Sequence, residues 1–81
     1  MRFMIKDKEY RLDRENVEKR MYGIVPEPIS KFYIVVRGTK YPPKQVLSTV
    51  SKIDRLTFTT AGAGEILEKL GFDLRAIWSN H

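Results

Sequence analysis

Polar and apolar residues alternate at the start of the chain, in the stretch RFMIKDKEYRL. Phe3 and Ile5 precede a polar turn, and Tyr10 and Leu12 follow it with the same period of two. A period of two places every second side chain on one face of an extended strand. The pattern therefore predicts a β-hairpin over residues 1–12.

The next stretch, DRENVEKRM, has the features of a short helix. Asp13 is a favoured N-cap residue, and Leu12 before it and Val17 four positions after it are placed to form a hydrophobic staple. Val17 and Met21 are four residues apart and share a helix face. Gly23 is typical of the end of a helix. We expect this helix to serve as scaffold.

The longest apolar run, FYIVV, covers residues 32–36. Its side chains are apolar on both faces of a strand, which is typical of a central strand. Arg37 and Gly38 follow as a tight turn, because glycine tolerates a positive φ. Residues 39–41 then return as a short partner strand. The segment predicts a second hairpin at the centre of a sheet.

Two prolines open the stretch PPKQVLSTVSKIDR. Proline is accepted in the first turn of a helix because the N–H that it lacks has no partner there. The following apolar residues recur on one helix face, at Val46, Leu47, Val50 and Ile53. We therefore predict an amphipathic helix that continues to Arg55. Its opposite face carries a basic stripe, made of Lys44, Ser48, Ser51 or Lys52, and Arg55.

The last third, LTFTTAGAGEILEKLGFDLRAIW, predicts a helix and a strand. We expect the helix to run from about Thr60 to Leu70 and to end at Gly71 in a left-handed cap. Its buried face would consist of Ala63, Ile66, Leu67 and Leu70. Phe72 would pack against its last turn, and FDLRAI would form the final strand, with Trp78 at the edge of the core.

These elements predict one α+β domain over residues 1–81, with three helices and a short, mainly antiparallel sheet. The hairpin of residues 1–12 precedes the main region, residues 13–78. A chain of 81 residues has the size of one domain with one modest core.

Composition excludes several kinds of site. There is no cysteine, and the one histidine is the last residue, His81, so we expect no disulfide, no metal site and no cofactor. The longest apolar run is far short of the roughly 20 residues of a membrane span. Charge also returns too early, at Lys6, for a signal peptide. We expect a cytoplasmic protein.

No pattern indicates catalysis. The serines lack an internal histidine that could act as their base. Neighbouring carboxylates occur on predicted helix surfaces, where solvated charge is the common explanation. The sequence therefore predicts that this protein is not an enzyme.

Positive charge is concentrated in the middle of the chain. The net charge of the whole chain is +5, and residues 30–55 alone hold six basic residues and one acidic residue, Asp54. A basic patch is typical of a domain that binds a polyanion, usually nucleic acid. The alternative is a solvated surface on a protein of high isoelectric point.

The basic residues and their neighbours form a candidate nucleic-acid surface. Phosphate contacts are expected from the cations, namely Arg37, Lys40, Lys44, Lys52 and Arg55. Gln45 and Ser48 are expected to hydrogen-bond to sugar, phosphate or base edges. Tyr41 either stacks on a base or packs in the core, and core packing is the favoured interpretation.

A second candidate feature is the helix start in TFTTAGAGE. Thr59 and Thr60 lie where backbone N–H groups and the helix dipole favour an anion. The stretch is not a P-loop, since no Gly-Lys-Ser or Gly-Lys-Thr follows. The favoured alternative is a capped helix in which Gly62 and Gly64 permit close packing on a neighbouring strand.

Two stretches together carry a family resemblance. FYIVVRGTKYPPKQVLSTVSK followed by FTTAGAGEILEKLGF resembles the small N-terminal head domain of McrA-type modification-dependent HNH restriction endonucleases and related defence proteins. The matching positions are Tyr33, Gly38, Tyr41, Pro42 or Pro43, Lys44, Val46, Phe58, Gly62, Gly64, Leu67, Leu70, Gly71 and Phe72. The resemblance implies an accessory, DNA-contacting module whose contact surface lies around Tyr41, Lys44 and the loop before the last helix. No HNH motif is present, so the resemblance does not imply cleavage.

The sequence therefore predicts a non-catalytic nucleic-acid-binding module, with DNA as the expected ligand. The alternative is a protein-interaction module that docks on a separately encoded nuclease or on another defence or viral partner. In that case Tyr10, Tyr22 or Trp78 would act as anchors, and the N-terminal hairpin would offer a strand edge.

Overall fold

A computed structural model of the protein describes residues 1–5 and 7–77. This part of the chain forms an α+β domain with three α-helices and two small antiparallel sheets, which confirms the predicted fold class. The elements are β1 (Arg2–Ile5), β2 (Lys8–Arg11), α1 (Arg14–Arg20), β3 (Phe32–Val36), β4 (Thr39–Tyr41), α2 (Pro43–Ser51), a 3₁₀ turn (Arg55–Thr57), α3 (Thr60–Lys69) and β5 (Leu74–Ala76). None of these helices is long and apolar enough to cross a bilayer.

The N-terminal hairpin forms as predicted, in a two-stranded sheet of its own. Phe3 pairs with Tyr10 across it, and Asp7 has a positive φ of 66° in the turn. The hairpin base is closed by Met1 and Leu12. The Met1 amino group donates to the Leu12 carbonyl at 2.8 Å, and the Leu12 N–H donates back at 2.9 Å.

Helix α1 begins with the predicted cap. The Asn16 N–H donates to Oδ1 of Asp13 at 2.9 Å, and Leu12 and Val17 on either side are both buried. That placement is typical of a hydrophobic staple, which directs the chain from the hairpin into the helix. The helix ends before Gly23, whose φ is +76°.

The second sheet has the strand order β4-β3-β5, so β3 is the central strand, as predicted. Arg37 and Gly38 connect β3 to β4 with positive φ values of 50° and 80°. This combination is that of a type I′ turn, whose twist matches the flanking strands. Ile34 and Val36 lie on the buried face of the sheet.

The core lies between that face and the three helices. Its buried apolar members are Leu12, Val17, Met21, Ile34, Val36, Tyr41, Val46, Leu47, Val50, Ala63, Leu67, Leu70 and Phe72. The predicted apolar face of α2 is thus confirmed except for Ile53, which is half-buried and outside this cluster.

Helix α2 ends earlier than predicted, at Ser51. Lys52 takes a left-handed conformation with a φ of 62°. The Ser51 hydroxyl donates to the Leu47 carbonyl at 2.6 Å and accepts from the Ile53 N–H at 3.3 Å. Because the chain turns at Lys52, Arg55 is not on α2, and the prediction of one basic helix stripe from Lys44 to Arg55 is wrong.

Helix α3 and strand β5 form as predicted. Gly71 has a φ of +100° just after the helix, and the Phe72 N–H donates to the Leu67 carbonyl at 3.1 Å. Phe72 is therefore folded back onto the last turn of α3, where it is buried. The predicted position of Trp78 lies outside the described residues.

Candidate nucleic-acid interface

Tyr41 belongs to the core and is not part of a ligand surface. Only 4% of its surface is exposed. Its hydroxyl donates to the Ile24 carbonyl at 2.9 Å, and the Met21 carbonyl lies 3.4 Å away. The favoured interpretation as a core residue is confirmed, and the idea that Tyr41 stacks on a base is wrong because its ring is enclosed.

Gln45 is also buried, with 5% of its surface exposed. Its Nε2 group donates to the Val25 carbonyl at 2.9 Å, and its Oε1 accepts from the Glu27 N–H at 2.9 Å. Both ends of the amide thus tie residues 25–27 to α2. Gln45 borders the cleft described below, but its amide is engaged in this internal pair of hydrogen bonds. The predicted contact with nucleic acid stays a prediction.

A polar cleft of about 550 Å³ lies beside these two hydrogen bonds of Gln45. It is enclosed by the segment before β3, the start of α2, the 3₁₀ turn and the start of α3. Its walls carry cations and hydroxyl groups, from Ser30, Lys31, Lys44, Arg55, Thr59 and Thr60. The predicted surface included Lys44, Arg55, Thr59 and Thr60. Tertiary packing brings these four together, although the last three lie beyond the end of α2.

Lys31 and Ser30 were not among the predicted site residues. Lys31 lies in the basic segment of residues 30–55, so its charge could have marked it as a candidate phosphate contact. Its position beside α2 was not readable from the sequence, because it depends on how the segment before β3 folds against the helix. In the structure both residues line the cleft.

Glu27 lies in the same cleft and pairs with Arg55. The guanidinium contacts both carboxylate oxygens, with Nη2 to Oε2 at 2.8 Å. This hydrogen bonding lowers the pKa of the Glu27 carboxyl and raises the pKa of Arg55. Arg55 of the predicted basic stripe is therefore paired with a glutamate. Lys31 and Lys44 carry the excess positive charge of the cleft.

Thr59 acts as the N-cap of α3. Its hydroxyl oxygen accepts from the Gly62 N–H at 2.9 Å. Gly64 lies against Leu74 of β5, whereas a Cβ atom at Gly62 would meet only the Thr59 hydroxyl. The favoured alternative is thus confirmed for the cap and for Gly64, but Gly62 does not pack on a strand. The cap still places Thr59 and half-buried Thr60 on the wall of the cleft.

The other predicted residues lie elsewhere. Lys40 is on β4, with its Nζ atom 5.0 Å from the centre of the Tyr33 ring. The Arg37 guanidinium lies 6.0 Å from the centre of the Tyr22 ring. Ser48 and Lys52 are not among the residues that line the cleft. The ten predicted residues thus divide between the core, the cleft, the sheet and the far end of α2.

A metal centre is not found in the part of the chain that the structure describes, where no three or more side chains of ligand type cluster. The cleft carries cations, hydroxyl groups and the starts of two helices, beside the Glu27 carboxylate and apolar residues such as Phe32 and Ala61. The first three kinds of group bind anions through charge and hydrogen bonds.

Comparison with known proteins places the chain in one family. No curated protein and no solved structure matches it. One family model, described as SCO5918-like, matches residues 1–80, a range that includes both the N-terminal hairpin and the cleft. The chain belongs to the SCO5918-like family.

Proposed function

We propose that this protein is a non-catalytic nucleic-acid-binding module of the cytoplasm, with DNA as its ligand. One observation carries the proposal: the net charge of the chain is concentrated in residues 30–55, and three cations of that segment line the polar cleft, Lys31, Lys44 and the Arg55 that pairs with Glu27. Charge on its own favours any polyanion. The cleft adds donors that suit phosphate groups.

The chemistry of the cleft matches a phosphodiester backbone. Lysine ammonium groups attract phosphate and release its counterions, and the hydroxyl groups of Ser30 and Thr60 can donate to phosphate oxygens. The positive dipole ends of α2 and α3 add to this field. A cleft of about 550 Å³ has room for more than a single phosphate, which favours a polymer over a free ion.

The resemblance to restriction-endonuclease head domains supports the same surface. It implies contacts from Lys44 and from the loop before the last helix, and both lie on the cleft. Its third implied contact, Tyr41, is buried. The resemblance is the reason for proposing DNA as the ligand.

A protein-interaction module is the second candidate, favoured by exposed apolar side chains. Tyr22 is 79% exposed, Val25 80% and Leu56 85%. Of the predicted anchors, Tyr22 is thus available, Tyr10 is half-buried, and Trp78 lies outside the described residues. Under this alternative the chain would bind one protein partner with little dependence on salt.

Fluorescence anisotropy with labelled duplex and single-stranded DNA and RNA, at low and near-physiological salt, tests the proposal. The double variant Lys31→Ala/Lys44→Ala is expected to bind every sequence more weakly. Its plot of log K against log salt should also be less steep, by about 0.9 for each duplex phosphate that the variant no longer neutralises.

The matched control is Lys19→Ala/Lys69→Ala. It removes the same charge from exposed helix positions, where these lysines pair with Glu15 and Glu65. Equal losses of affinity in the two double variants would show a general charge effect and contradict the cleft. Absence of binding by the unaltered protein at low salt would contradict nucleic-acid binding altogether.

A further inference from the structure

The face of the three-stranded sheet that points away from the core has an aromatic centre. Side chains alternate along a strand, so Tyr33 and Val35 lie opposite to the core residues Ile34 and Val36. Tyr33 and Val35 are half-buried and are not members of the core cluster. We call this surface, with Lys40 and Arg75 beside it, the outer sheet face.

Two cations flank the tyrosine. Lys40 pairs with Val35 on one neighbouring strand, and Arg75 pairs with Tyr33 on the other. Adjacent strands are about 4.8 Å apart, so the backbones of Lys40 and Arg75 lie on the two strands that flank β3, displaced by two residues along it. The Lys40 Nζ atom is 5.0 Å from the ring centre, and Arg75 also contacts Asp73 at 3.6 Å.

Residues next to each other in the chain connect the outer sheet face to the polar cleft. Lys40 and Pro42 are two residues apart, and Pro42 lines the cleft. Lys31, which also lines the cleft, immediately precedes β3. The chain thus passes from the cleft to the outer sheet face at both ends of the hairpin of β3 and β4, and both surfaces carry cations that attract phosphates.

From this arrangement we propose that the outer sheet face binds single-stranded nucleic acid, with one base stacked on Tyr33 and the adjacent phosphates at Lys40 and Arg75. The inference rests on the proposed function and specifies its ligand. Every base has a π-face that can stack on an aromatic ring, whereas in a duplex that face is covered by the neighbouring base pairs. The charge of the flanking cations complements the phosphates of such a strand.

The test compares Tyr33→Leu with Tyr33→Phe. Leucine keeps an apolar side chain beside Val35 but cannot stack, whereas phenylalanine retains the aromatic ring. Anisotropy measures the affinity for three ligands: a DNA strand of about 12 nucleotides, the same RNA strand and the corresponding DNA duplex. This length is within the site sizes of single-strand binders. Circular dichroism melting verifies that each variant is folded.

The matched control is Tyr22→Leu. Tyr22 also has a cation near its ring, Arg37 at 6.0 Å, and it is largely exposed, but it does not belong to the outer sheet face. We expect Tyr33→Leu to weaken single-strand binding about 10-fold, with little effect on duplex binding. Tyr33→Phe and Tyr22→Leu should bind as the unaltered protein does.

Three outcomes would overturn the inference, and they are distinguishable. If Tyr33→Leu binds single strands normally while Lys31→Ala/Lys44→Ala does not, the stacking site is wrong and the nucleic-acid function stands. Equal losses of affinity for Tyr33→Leu and Tyr22→Leu would also reject the site. If the unaltered protein binds no strand and no duplex, the proposed function fails and the stacking site fails with it.

Discussion

The backbone of Gly64 in α3 lies directly against the side chain of Leu74 in β5. A Cβ atom at position 64 would stand 2.6 Å from Cδ2 and 3.0 Å from Cδ1 of Leu74. The absence of a side chain at position 64 thus lets α3 approach β5 this closely.

Gly64→Ala is therefore expected to destabilise the fold. The gain in helix propensity is about 1 kcal/mol, and the cost of overpacking is about 1–3 kcal/mol, so the clash should prevail. Urea unfolding measures the change in the free energy of unfolding. The double variant Gly64→Ala/Leu74→Ala should be destabilised by less than the sum of the two single changes, because the alanine at position 74 makes room for the new methyl group. Strict additivity would contradict the proposed clash.

Gln45 connects the loop before β3 to α2, so replacing it should also destabilise the protein. Gln45→Met keeps an unbranched side chain but leaves the Val25 carbonyl and the Glu27 N–H without their present partner. The expected decrease is about 1–3 kcal/mol of unfolding free energy, measured in urea. Lys44→Met, at the neighbouring half-buried position, is the control for the change to methionine. A Gln45→Met protein as stable as this control would show that the two hydrogen bonds contribute little.

The ion pair between Glu27 and Arg55 predicts a dependence of stability on pH. The pKa of Glu27 is below its ordinary value of 4.5 in the folded protein, so the unfolded chain takes up its proton first as the pH falls. The stabilisation is fully present above the unfolded pKa of 4.5 and is lost as the pH falls through the folded pKa. Both groups are exposed, so the effect is small.

Glu27→Gln should therefore lower stability slightly at neutral pH and have progressively less effect as the pH falls below the ordinary carboxyl pKa. Urea midpoints at neutral and acidic pH measure the difference. Glu65→Gln, which breaks an exposed pair with Lys69 at 4.0 Å, is the comparison. If the loss of stability in Glu27→Gln is the same in acid as at neutral pH, it results from altered packing and not from the lost charge.

The same substitution should strengthen nucleic-acid binding. Glu27 carries a negative charge on the wall of the cleft, and its removal leaves Arg55 without a carboxylate and increases attraction for phosphate. We expect severalfold tighter binding at low salt and a smaller difference at high salt, in anisotropy titrations. The control is again Glu65→Gln. If that remote change strengthens binding equally, the effect is one of net charge and not of the cleft.

Local signals in the sequence were sufficient for most of the secondary structure. The alternation around Phe3 and Tyr10 predicted the first hairpin, and Asp13 predicted the start of α1. The pair Arg37 and Gly38 predicted the turn between β3 and β4. These features depend on residues close together in the chain. Their physical causes are the side-chain period, helix capping and the freedom of glycine at positive φ, and each acts over only a few residues.

Only the tertiary structure decided which polar residues can meet a ligand. Gln45 and Tyr41 have types that are common at nucleic-acid surfaces, yet both are buried because segments before β3 fold over them. Arg55 gained a partner in Glu27, 28 residues earlier.

The sequence by itself thus determined most of the elements, the fold class and the position of the excess charge. It did not determine which face of β3 is covered, since apolar residues occupy both faces. That choice, which places Tyr33 on the outer sheet face and Ile34 in the core, depends on contacts between segments far apart in the chain. Periodicity within one segment carries no information about such contacts.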